Sequence, residues 1–248
     1  MMAMRISVPI PVYNGAKYLP TQLDSILKQL SENDEIIISY NPSTDSTWDV
    51  IKKYEENNKN IKVYTCDVMG VTPNGNNALS HCSGKYILPA DQDDLWLDGK
   101  VKNVVCAFEK SNAPIVLHDM RYADTDLNPT DKTMFAERGS RPGLLRNLIK
   151  NSYHGGCMAI NASYLNVIYP VPLGVGFGDM WAGLVGELCG EPIFINKVLM
   201  LFRCHNHNLS SRNRRDLGVI LPERLRLIKE LYFRRKVIKN ITREIKEQ

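Results

Sequence analysis

The first ninety residues alternate short apolar runs with amphipathic segments, and this alternation constrains the fold more than any other feature. Apolar runs of strand length occur at Arg5–Ile10, Glu35–Ser39, Ile61–Cys66 and Lys85–Ala90. The second is almost entirely apolar, which is typical of a strand buried on both faces of a parallel sheet. Between the first two runs, apolar residues recur at the spacing of a helix, at Leu19, Leu23, Ile26, Leu27 and Leu30. The pattern predicts an α/β fold with a mostly parallel, doubly wound sheet.

The remaining elements are less regular. After the second strand, Ser43-Thr44-Asp45 can cap a helix that carries Trp48, Ile51 and Tyr54 on one face. The other predicted elements are a helix at 74–81, strands at 114–118 and 193–202, a loop-rich stretch at 119–141, helices at 144–150 and 161–168, and a glycine-rich loop at 174–179 leading into an apolar helix.

Three carboxylates lie within four positions where the fourth predicted strand ends, at Asp91, Asp93 and Asp94. Carboxylates this close repel one another unless a cation lies between them. A hard divalent cation, Mn²⁺ or Mg²⁺, prefers oxygen ligands of this kind and is commonly coordinated by substrate phosphates as well. A solvated acidic loop is the alternative. Ligands bind beyond the carboxyl ends of parallel strands, so this loop is expected to share a crevice with the loops after the first two strands.

Charge and composition exclude several classes of protein. No uninterrupted apolar run reaches the roughly 18 to 20 residues of a membrane span. Six cysteines without a Cys-x-x-Cys pair are typical of reduced thiols, so we expect a cytoplasmic protein. The net charge is +4, yet residues 212–248 carry 12 lysine and arginine residues against five acids. Because aromatic residues do not interleave these basic residues on a recognisable module, no nucleic-acid partner is expected.

Four short blocks occur in a characteristic order. They are Ile10–Gly15, Ser43–Thr47, Gly84-Lys85-Tyr86 continuing into Asp91–Trp96, and Phe202-Arg203-x-His205-x-x-Asn208. In this order they resemble the family-2 glycosyltransferases of the GT-A fold, over about residues 4–211. The resemblance is greatest to the branch that builds bacterial capsule, O-antigen or lipopolysaccharide chains.

The resemblance implies a domain organisation and a reaction. Residues 1–211 would be a GT-A catalytic domain, with a nucleotide-binding half at 1–100 and an acceptor half at 101–211, followed by a basic helical tail at 212–248. The enzyme would use Mn²⁺ or Mg²⁺ to move a sugar, with inversion, from a nucleoside-diphosphate sugar to a hydroxyl of a glycan or lipid-linked acceptor.

The resemblance also implies roles on the donor side. Asp91 would face the ribose, while Asp93 and His205 would hold the metal that bridges the diphosphate. The other residues expected to bind the nucleotide-sugar are Pro11, Val12, Tyr13, Asn14, Asn41, Asn74, Gln92 and Arg203. Two alternatives stay open: Arg203 could pair with a surface carboxylate, and Asn74 could be a turn or cap residue.

On the acceptor side, Asp179 matches the general base of the family. It follows a glycine-rich loop at the start of a predicted helix, where capping that helix is the alternative role, and the two roles are compatible. Gly156 is expected to leave room for the acceptor sugar. Trp181 could stack on a sugar ring or fill the core.

One departure from the family pattern concerns the donor. Where acidic residues and glycine usually precede the Ser-Thr-Asp block, this chain has Tyr40-Asn41-Pro42. An amide replaces the acid expected to bind the nucleobase, so a sugar-nucleotide-binding module without turnover is one alternative. A sugar nucleotidyltransferase is another, although it requires a glycine-rich basic loop where Pro11-Val12-Tyr13-Asn14 stands.

The basic tail carries apolar residues at helical spacing, among them Leu225, Ile228, Leu231 and Tyr232. This pattern predicts one or two amphipathic helices. They could make peripheral contact with an anionic inner-membrane surface, or pack on the catalytic domain with their basic side in solvent.

Overall fold

The computed structural model describes residues 5–176, 178–205 and 216–247, which form a curled β-sheet flanked by helices. The strands are β1 (Ile6–Val12), β2 (Glu35–Tyr40), β3 (Ile61–Thr65), β4 (Tyr86–Ile87), β5 (Leu95–Trp96), β6 (Ile115–Ala123), β7 (Pro129–Thr133), β8 (Met158–Asn161) and β9 (Ile193–Arg203). The helices are α1 (Leu19–Leu27), α2 (Thr47–Asn57), α3 (Val71–Ser80), α4 (Lys100–Glu109), α5 (Met134–Arg138), α6 (Leu144–Ile149), α7 (Leu165–Ile168), α8 (Gly178–Cys189) and α9 (Leu217–Glu247). The predicted α/β class is confirmed.

The first half of the sheet is parallel, with β1 between β2 and β4 and with β3 beyond β2. Its strands are apolar on both faces because helices cover them, as the sequence predicts. In the register, Val12 lies opposite Tyr40, which lies opposite Thr65. The carboxyl ends of the first three strands are therefore level, and the loops that follow them meet at one edge.

The acidic loop reaches the same edge because β4 keeps pairing with β1 beyond its formal end. The backbone N–H of Leu88 donates to the carbonyl of Ser7 (2.9 Å), and that of Ala90 donates to the carbonyl of Pro9 (3.0 Å). Asp91 follows directly. The prediction of a strand at 85–90 is thus right in its course, although regular pairing is confined to Tyr86–Ile87.

The second half of the sheet mixes directions. The antiparallel strand β8 joins β4 to β6, while β9 runs parallel to β6 and antiparallel to β5. Pairing of Leu95 with Leu201 places the end of β9 beside the acidic loop. The backbone N–H of Arg203 accordingly donates to Asp94 Oδ1 at 3.1 Å.

The prediction of a loop-rich segment at 119–141 is wrong. Strand β6 continues to Ala123, and β7 and α5 follow it. Four of the five β7 residues are exposed, so this strand lacks apolar alternation. Asp119 is buried inside β6, where its Oδ1 accepts from the N–H of Phe135 at 2.9 Å. Strands β5 and β8 are also absent from the sequence prediction, being only two and four residues long.

The tail forms one helix, α9, which packs on α7 and α8. Its buried residues include Leu227, Leu231 and Ile238. In the described part of the chain, no helix combines the length and the apolar character needed to cross a bilayer.

Candidate active site

The loop after β1 is held by side chains of the Ser43–Thr47 block. Asn14 has a positive φ of 47°, a conformation that asparagine tolerates better than most residues. Its N–H donates to Ser43 Oγ (3.0 Å), and its Oδ1 accepts from the N–H of Thr44 (2.8 Å). The first two blocks of the sequence therefore form one structure beyond the strand ends.

Gln92 ties this loop to the acidic loop. Its Oε1 accepts from the N–H of Tyr13 and its Nε2 donates to the carbonyl of Tyr13, both at 2.9 Å. Pro11 and Val12 precede this contact at the end of β1, and the Tyr13 side chain is 43% exposed. Gln92 thus fixes the relative position of two loops, and the partly exposed Tyr13 ring lies beside this contact.

Asn41 and Asn74 are both buried below these loops. Asn41 Nδ2 donates to the carbonyl of Cys66 (2.6 Å) and to that of Val68 (3.2 Å). A carboxylate at position 41 would turn an oxygen toward these two carbonyls, which explains why an amide is suited to this place. The departure noted in the sequence therefore has a local physical reason.

Asn74 lies deeper than the sequence predicts. Its Oδ1 accepts from Ser39 Oγ (2.5 Å) and its Nδ2 donates to the carbonyl of Val12 (3.2 Å). Because the side chain is 3% exposed and bonded to two strands, it holds the ends of β1 and β2. This placement favours a structural role over direct nucleotide contact.

The acidic loop itself contains carboxylates in different surroundings. Asp94 is fully buried, and burial, then the charges of Asp91 and Asp93, raises its pKa well above the usual range. Burial, then the charges of Asp93 and Asp179, raises the pKa of Asp91 to about 7. The segment from Asn151 to Gly156 lies beside both acids, since Asn151 Nδ2 is 3.5 Å from Asp179 Oδ1 and a Cβ on Gly156 would lie 3.2 Å from Asp91 Oδ2.

Asp93 and His205 lie in contact, with 2.8 Å between Oδ2 and Nε2. Neighbouring ligands of an octahedral ion with bonds of about 2.1 Å lie about 3 Å apart, so the pair fits two adjacent positions of a Mn²⁺ or Mg²⁺ shell. Among residues 5–176, 178–205 and 216–247, no three acidic, histidine or cysteine side chains form a preassembled metal cluster. The remaining ligands would have to come from substrate and water, as is usual for these ions.

Tyr18 supports this pair. Its ring stacks on the His205 ring with 5.0 Å between centroids, and the Arg203 guanidinium lies 4.6 Å from its centroid. The end of β9 is therefore anchored on the segment before α1.

Arg203 has neither of the environments expected from the sequence. It is 4% exposed, its Nε donates to the carbonyl of Asp93 (2.8 Å), and its Nη1 donates to the carbonyl of Thr125. These contacts hold the backbone of the acidic loop. In this structure Arg203 positions Asp93, which differs both from a surface ion pair and from a side chain reserved for the diphosphate.

Asp179 lies in the first turn of α8. Its Oδ1 accepts from the N–H of Met180 (2.6 Å) and lies 3.5 Å from Asn151 Nδ2. Burial raises the pKa of Asp179 to about 6, against the opposing charge of Arg138 and the hydrogen bond from Met180. A carboxylate of this kind is ionised at neutral pH and more basic than an exposed aspartate.

Gly156 separates the two sides of the crevice. A Cβ at this position would lie 3.2 Å from Asp91 Oδ2 and 3.2 Å from Met200 Sδ. A residue with a Cβ would displace the Asp91 carboxylate or the Met200 side chain by a few tenths of an ångström, so the glycine lets Asp91 pack closely against this segment.

Trp181 fills the core, which is one of the two alternatives left by the sequence. The side chain is fully buried, its Nε1 donates to the carbonyl of Ile168 (2.7 Å), and Arg234 lies 5.1 Å from its ring centroid. A ring in this position cannot stack on an acceptor sugar, so the predicted acceptor contact of Trp181 is corrected.

Lys100 belongs to the site and is missing from the sequence prediction. It is 1% exposed at the start of α4, its Nζ donates to the carbonyl of Gly156 (2.6 Å) and lies 4.0 Å from the Trp96 centroid. Its charge lowers the pKa of both Asp91 and Asp94. The available signal was a lysine at the apolar spacing of α4, in line with Val104 and Phe108.

The same fold occurs in solved glycosyltransferase structures. The structure of S. aureus TarS 1-349 in complex with UDP-GlcNAc matches with a TM-score of 0.72 at 20% identity, over 97% of this chain and 71% of that one. A mannosyltransferase, PcManGT from Pyrobaculum calidifontis, in complex with GDP-Man and Mn²⁺, matches with a TM-score of 0.62 at 16% identity, over 97% and 74%. The fold is therefore GT-A.

The sequence comparison identifies the family. The glycosyl transferase family 2 profile matches residues 7–168, and the chain belongs to this family. The Escherichia coli UDP-Glc:alpha-D-GlcNAc-diphosphoundecaprenol beta-1,3-glucosyltransferase WfaP is 34% identical over 100 residues, which is 40% of this chain and 39% of WfaP. The chain also spans less than half the length of other curated glycosyltransferases that it matches.

Proposed function

We propose that this protein is a metal-dependent, inverting glycosyltransferase that moves a sugar from a nucleoside-diphosphate sugar to an acceptor hydroxyl. The observation that carries the proposal is the proximity of three groups: Asp93 in contact with His205, Asp91 beside Gly156, and the basic carboxylate Asp179 beside Asn151 on the same segment 151–156. We assign catalysis to residues 1–211, with the donor half at 1–100 and the acceptor half at 101–211, followed by the tail at 212–248.

The donor binds along the strand ends. Tyr13 and Asn41 are assigned to the nucleobase, Asp91 to the ribose, and Asp93 and His205 to Mn²⁺ or Mg²⁺. The metal, when bound, supplies positive charge that stabilises the departing diphosphate. Gln92, Asn14 and Arg203 keep the surrounding loops in place through the contacts described above.

Asp179 acts as the general base. Within the described residues both close contacts of its carboxylate are made by Oδ1, which leaves Oδ2 for the proton of the acceptor hydroxyl. As the proton passes to Oδ2, the acceptor oxygen bonds to the anomeric carbon on the face opposite the diphosphate. The bond from that carbon to the diphosphate oxygen breaks, its electron pair leaves with the diphosphate, and the configuration inverts.

The acceptor is a glycan or lipid-linked hydroxyl in cell-surface polysaccharide synthesis, used on the cytoplasmic side in peripheral contact with the membrane. The activity of WfaP, a glucosyltransferase that acts on a diphosphoundecaprenol-linked sugar, supports this acceptor class. TarS, with UDP-GlcNAc, and PcManGT, with GDP-Man and Mn²⁺, support a nucleotide-sugar donor and a divalent metal.

The test is a transfer assay with panels of UDP-, GDP- and dTDP-sugars and of glycan and lipid-linked acceptors, with Mn²⁺ or with chelator. We expect release of nucleoside diphosphate and a glycosylated product with one donor, dependent on metal, lost in Asp93→Ala and Asp179→Asn. Equal product from wild type and both variants would contradict the assigned roles.

A second outcome would identify a binding module. If a nucleotide-sugar raises the melting temperature in the presence of Mn²⁺ but no acceptor is glycosylated, the chain binds the donor without turnover. The observation that favours this alternative is the buried amide of Asn41. It stands where the family usually has an acid that binds the nucleobase.

A further inference from the structure

The C-terminal helix α9 presents two different faces. The inner face packs on the catalytic domain through Leu227, Leu231 and Ile238, and Arg234 Nη1 donates to the carbonyl of Val167 at 2.8 Å. A solvent-facing side next to it, here called the outer face, carries Leu221, Leu225, Ile228 and Tyr232 at spacings of four, three and four residues. These four side chains are 62%, 60%, 49% and 59% exposed, so a large apolar stripe is turned to solvent.

The charges around the stripe have one sign. Between residues 219 and 240, every exposed charged residue of α9 is a lysine or arginine, including Lys229, Lys236 and Lys239; the exposed acids of the helix, Glu244 and Glu247, lie at least twelve residues beyond Tyr232. The two acids of this stretch, Glu223 and Glu230, are only partly exposed and lie on the side nearer the domain. An apolar stripe bordered by cations alone is typical of a helix that lies in the interface of an anionic bilayer.

A second copy of the chain fits this face less well. Another outer face would bring the same cations and no exposed carboxylate from this stretch to pair with them. A bilayer containing anionic lipids complements both features, because its headgroups pair with the lysines while the apolar side chains enter the acyl boundary.

The helix is also attached to the acceptor side of the crevice. Its Glu223 and Arg226 approach the loop before Asp179 so closely that a Cβ on Gly176 or Gly174 would lie 2.7 Å or 2.8 Å from their side chains. Arg224 Nη1 contacts Met180 Sδ, next to Asp179. A bilayer against the outer face would therefore lie on the helix that contacts the segment next to the base.

We propose that the outer face of α9 docks the protein on an anionic lipid bilayer, in the interface plane, and so keeps the acceptor side of the crevice next to lipid-linked substrate. The choice of substrate rests on the proposed function, whereas the docking itself does not.

The experiment is co-sedimentation of the full chain with vesicles of phosphatidylcholine alone or of phosphatidylcholine with phosphatidylglycerol. We expect binding to the anionic vesicles and weak binding to the neutral ones. Replacing Lys229, Lys236 and Lys239 by Gln should lower the affinity for anionic vesicles about a hundredfold. The matched control replaces the exposed lysines Lys53, Lys59 and Lys110 by Gln and should bind as wild type.

The apolar arm replaces Leu221, Leu225 and Ile228 by Gln and should abolish vesicle binding. Its control, Leu145→Gln with Ile149→Gln, changes the 77% and 86% exposed apolar residues of α6 and should retain binding. Circular dichroism establishes that each variant is folded. The proposal is overturned if both outer-face variants bind anionic vesicles as wild type, if wild type binds none, or if light scattering shows a dimer that the apolar variant abolishes. Because the assay needs no donor, metal or turnover, a chain that docks but transfers no sugar would contradict the proposed function and leave docking intact.

Discussion

The buried acid Glu35 and a group of buried acids around the acidic loop lie at opposite ends of the same sheet, and their pKa values are shifted in opposite directions. At the amino ends of the strands, Glu35 is 1% exposed. Its Oε1 accepts from the Ser7 hydroxyl and from the hydroxyl and N–H of Ser83, while its Oε2 accepts from Arg5 and Lys62, both at 2.7 Å. Burial alone would raise the pKa of Glu35, but these donors outweigh it and lower the pKa to about 2.

The crevice acids at the carboxyl ends have fewer donors and more like charges. Asp94 Oδ2 is buried without a hydrogen-bond partner among the described residues. Lys100 is the buried cation that moderates this group, and burial lowers its own pKa to about 8, so it stays charged at neutral pH. The raised pKa values of Asp91 and Asp179 follow from this shortage of compensation.

The comparison separates a carboxylate that stabilises the fold from carboxylates kept reactive. A saturated acid cannot take up a proton near neutral pH, whereas a crowded, partly satisfied one can. The amino end of the sheet is thus built for stability, and the carboxyl end retains electrostatic strain that a metal and a substrate can relieve.

The largest expected effect comes from removing the base. Asp179→Asn keeps the shape but cannot accept the acceptor proton, so kcat should fall by about 10² to 10⁴. Donor affinity, measured by calorimetry, should stay within about twofold of wild type, because the substitution removes no contact that binds the donor in the ground state. Asp131→Asn, on the exposed strand β7, is the control and should transfer as wild type.

At the other end of the sheet, Glu35→Gln should destabilise the protein without changing its chemistry. Removing one partner of a buried ion pair leaves the rest uncompensated, so we expect a loss of about 3–5 kcal/mol in the free energy of unfolding, measured with urea. The half-exposed pair Glu55 and Lys52 offers a control, since Glu55→Gln should cost less than about 1 kcal/mol. If folded Glu35→Gln lost transfer activity, the division between a structural amino end and a catalytic carboxyl end of the sheet would be contradicted.

Lys100→Met tests whether the buried cation links the two sides of the crevice. The carbonyl of Gly156 would lose its donor, and a loss of about 1–3 kcal/mol in the free energy of unfolding is expected. The KM for donor should also rise, because Asp91 loses the cation that favours its charged form. Lys102→Met, exposed on the same helix, should change neither quantity.

The smallest effect is the pH dependence of stability. Glu35 has its pKa lowered from 4.5 to about 2, so its contribution is complete above about 4.5 and is lost as the pH falls toward 2. Asp179 has its pKa raised from 3.8 to about 6, so its contribution is complete below about 3.8 and is lost as the pH rises through 6. Urea unfolding at pH 4 to 7 should show a larger loss of stability with rising pH in wild type than in Asp179→Asn, which keeps only the same trend from Asp91, whose pKa is raised to about 7.

The parallel half of the fold could be predicted from sequence because its signals are local. A short run such as Glu35–Ser39, with three consecutive isoleucines, indicates a buried strand by itself. The first three strands also pair with strands that are next to them in the chain. Strands β5 and β8 were not predicted because two to four residues carry no periodicity, and because they pair with strands distant in sequence. Strand β7 was not predicted because an exposed edge strand needs no apolar face.

The candidate site divides in the same way. The acidic loop and Asp179 were predicted, since charge density and motif order are visible in the chain. The inward position of Trp181, the carbonyl contacts of Arg203 and the buried ammonium of Lys100 were not, because each depends on which elements pack around the side chain. Residue type identifies what chemistry is available, and packing decides which atoms can reach a ligand.

We expect the acids of this site to act in catalysis through their raised basicity, and the pH profile of kcat/KM bears on this more directly than any other measurement. With the donor and acceptor found in the transfer assay, wild-type activity should fall below about pH 7 as Asp91 becomes protonated, and more steeply below about 6 as Asp179 becomes protonated. The residual activity of Asp179→Asn should lose the steeper part and keep only the shallower fall caused by Asp91. An acid limb of unchanged steepness in Asp179→Asn would contradict catalysis by Asp179.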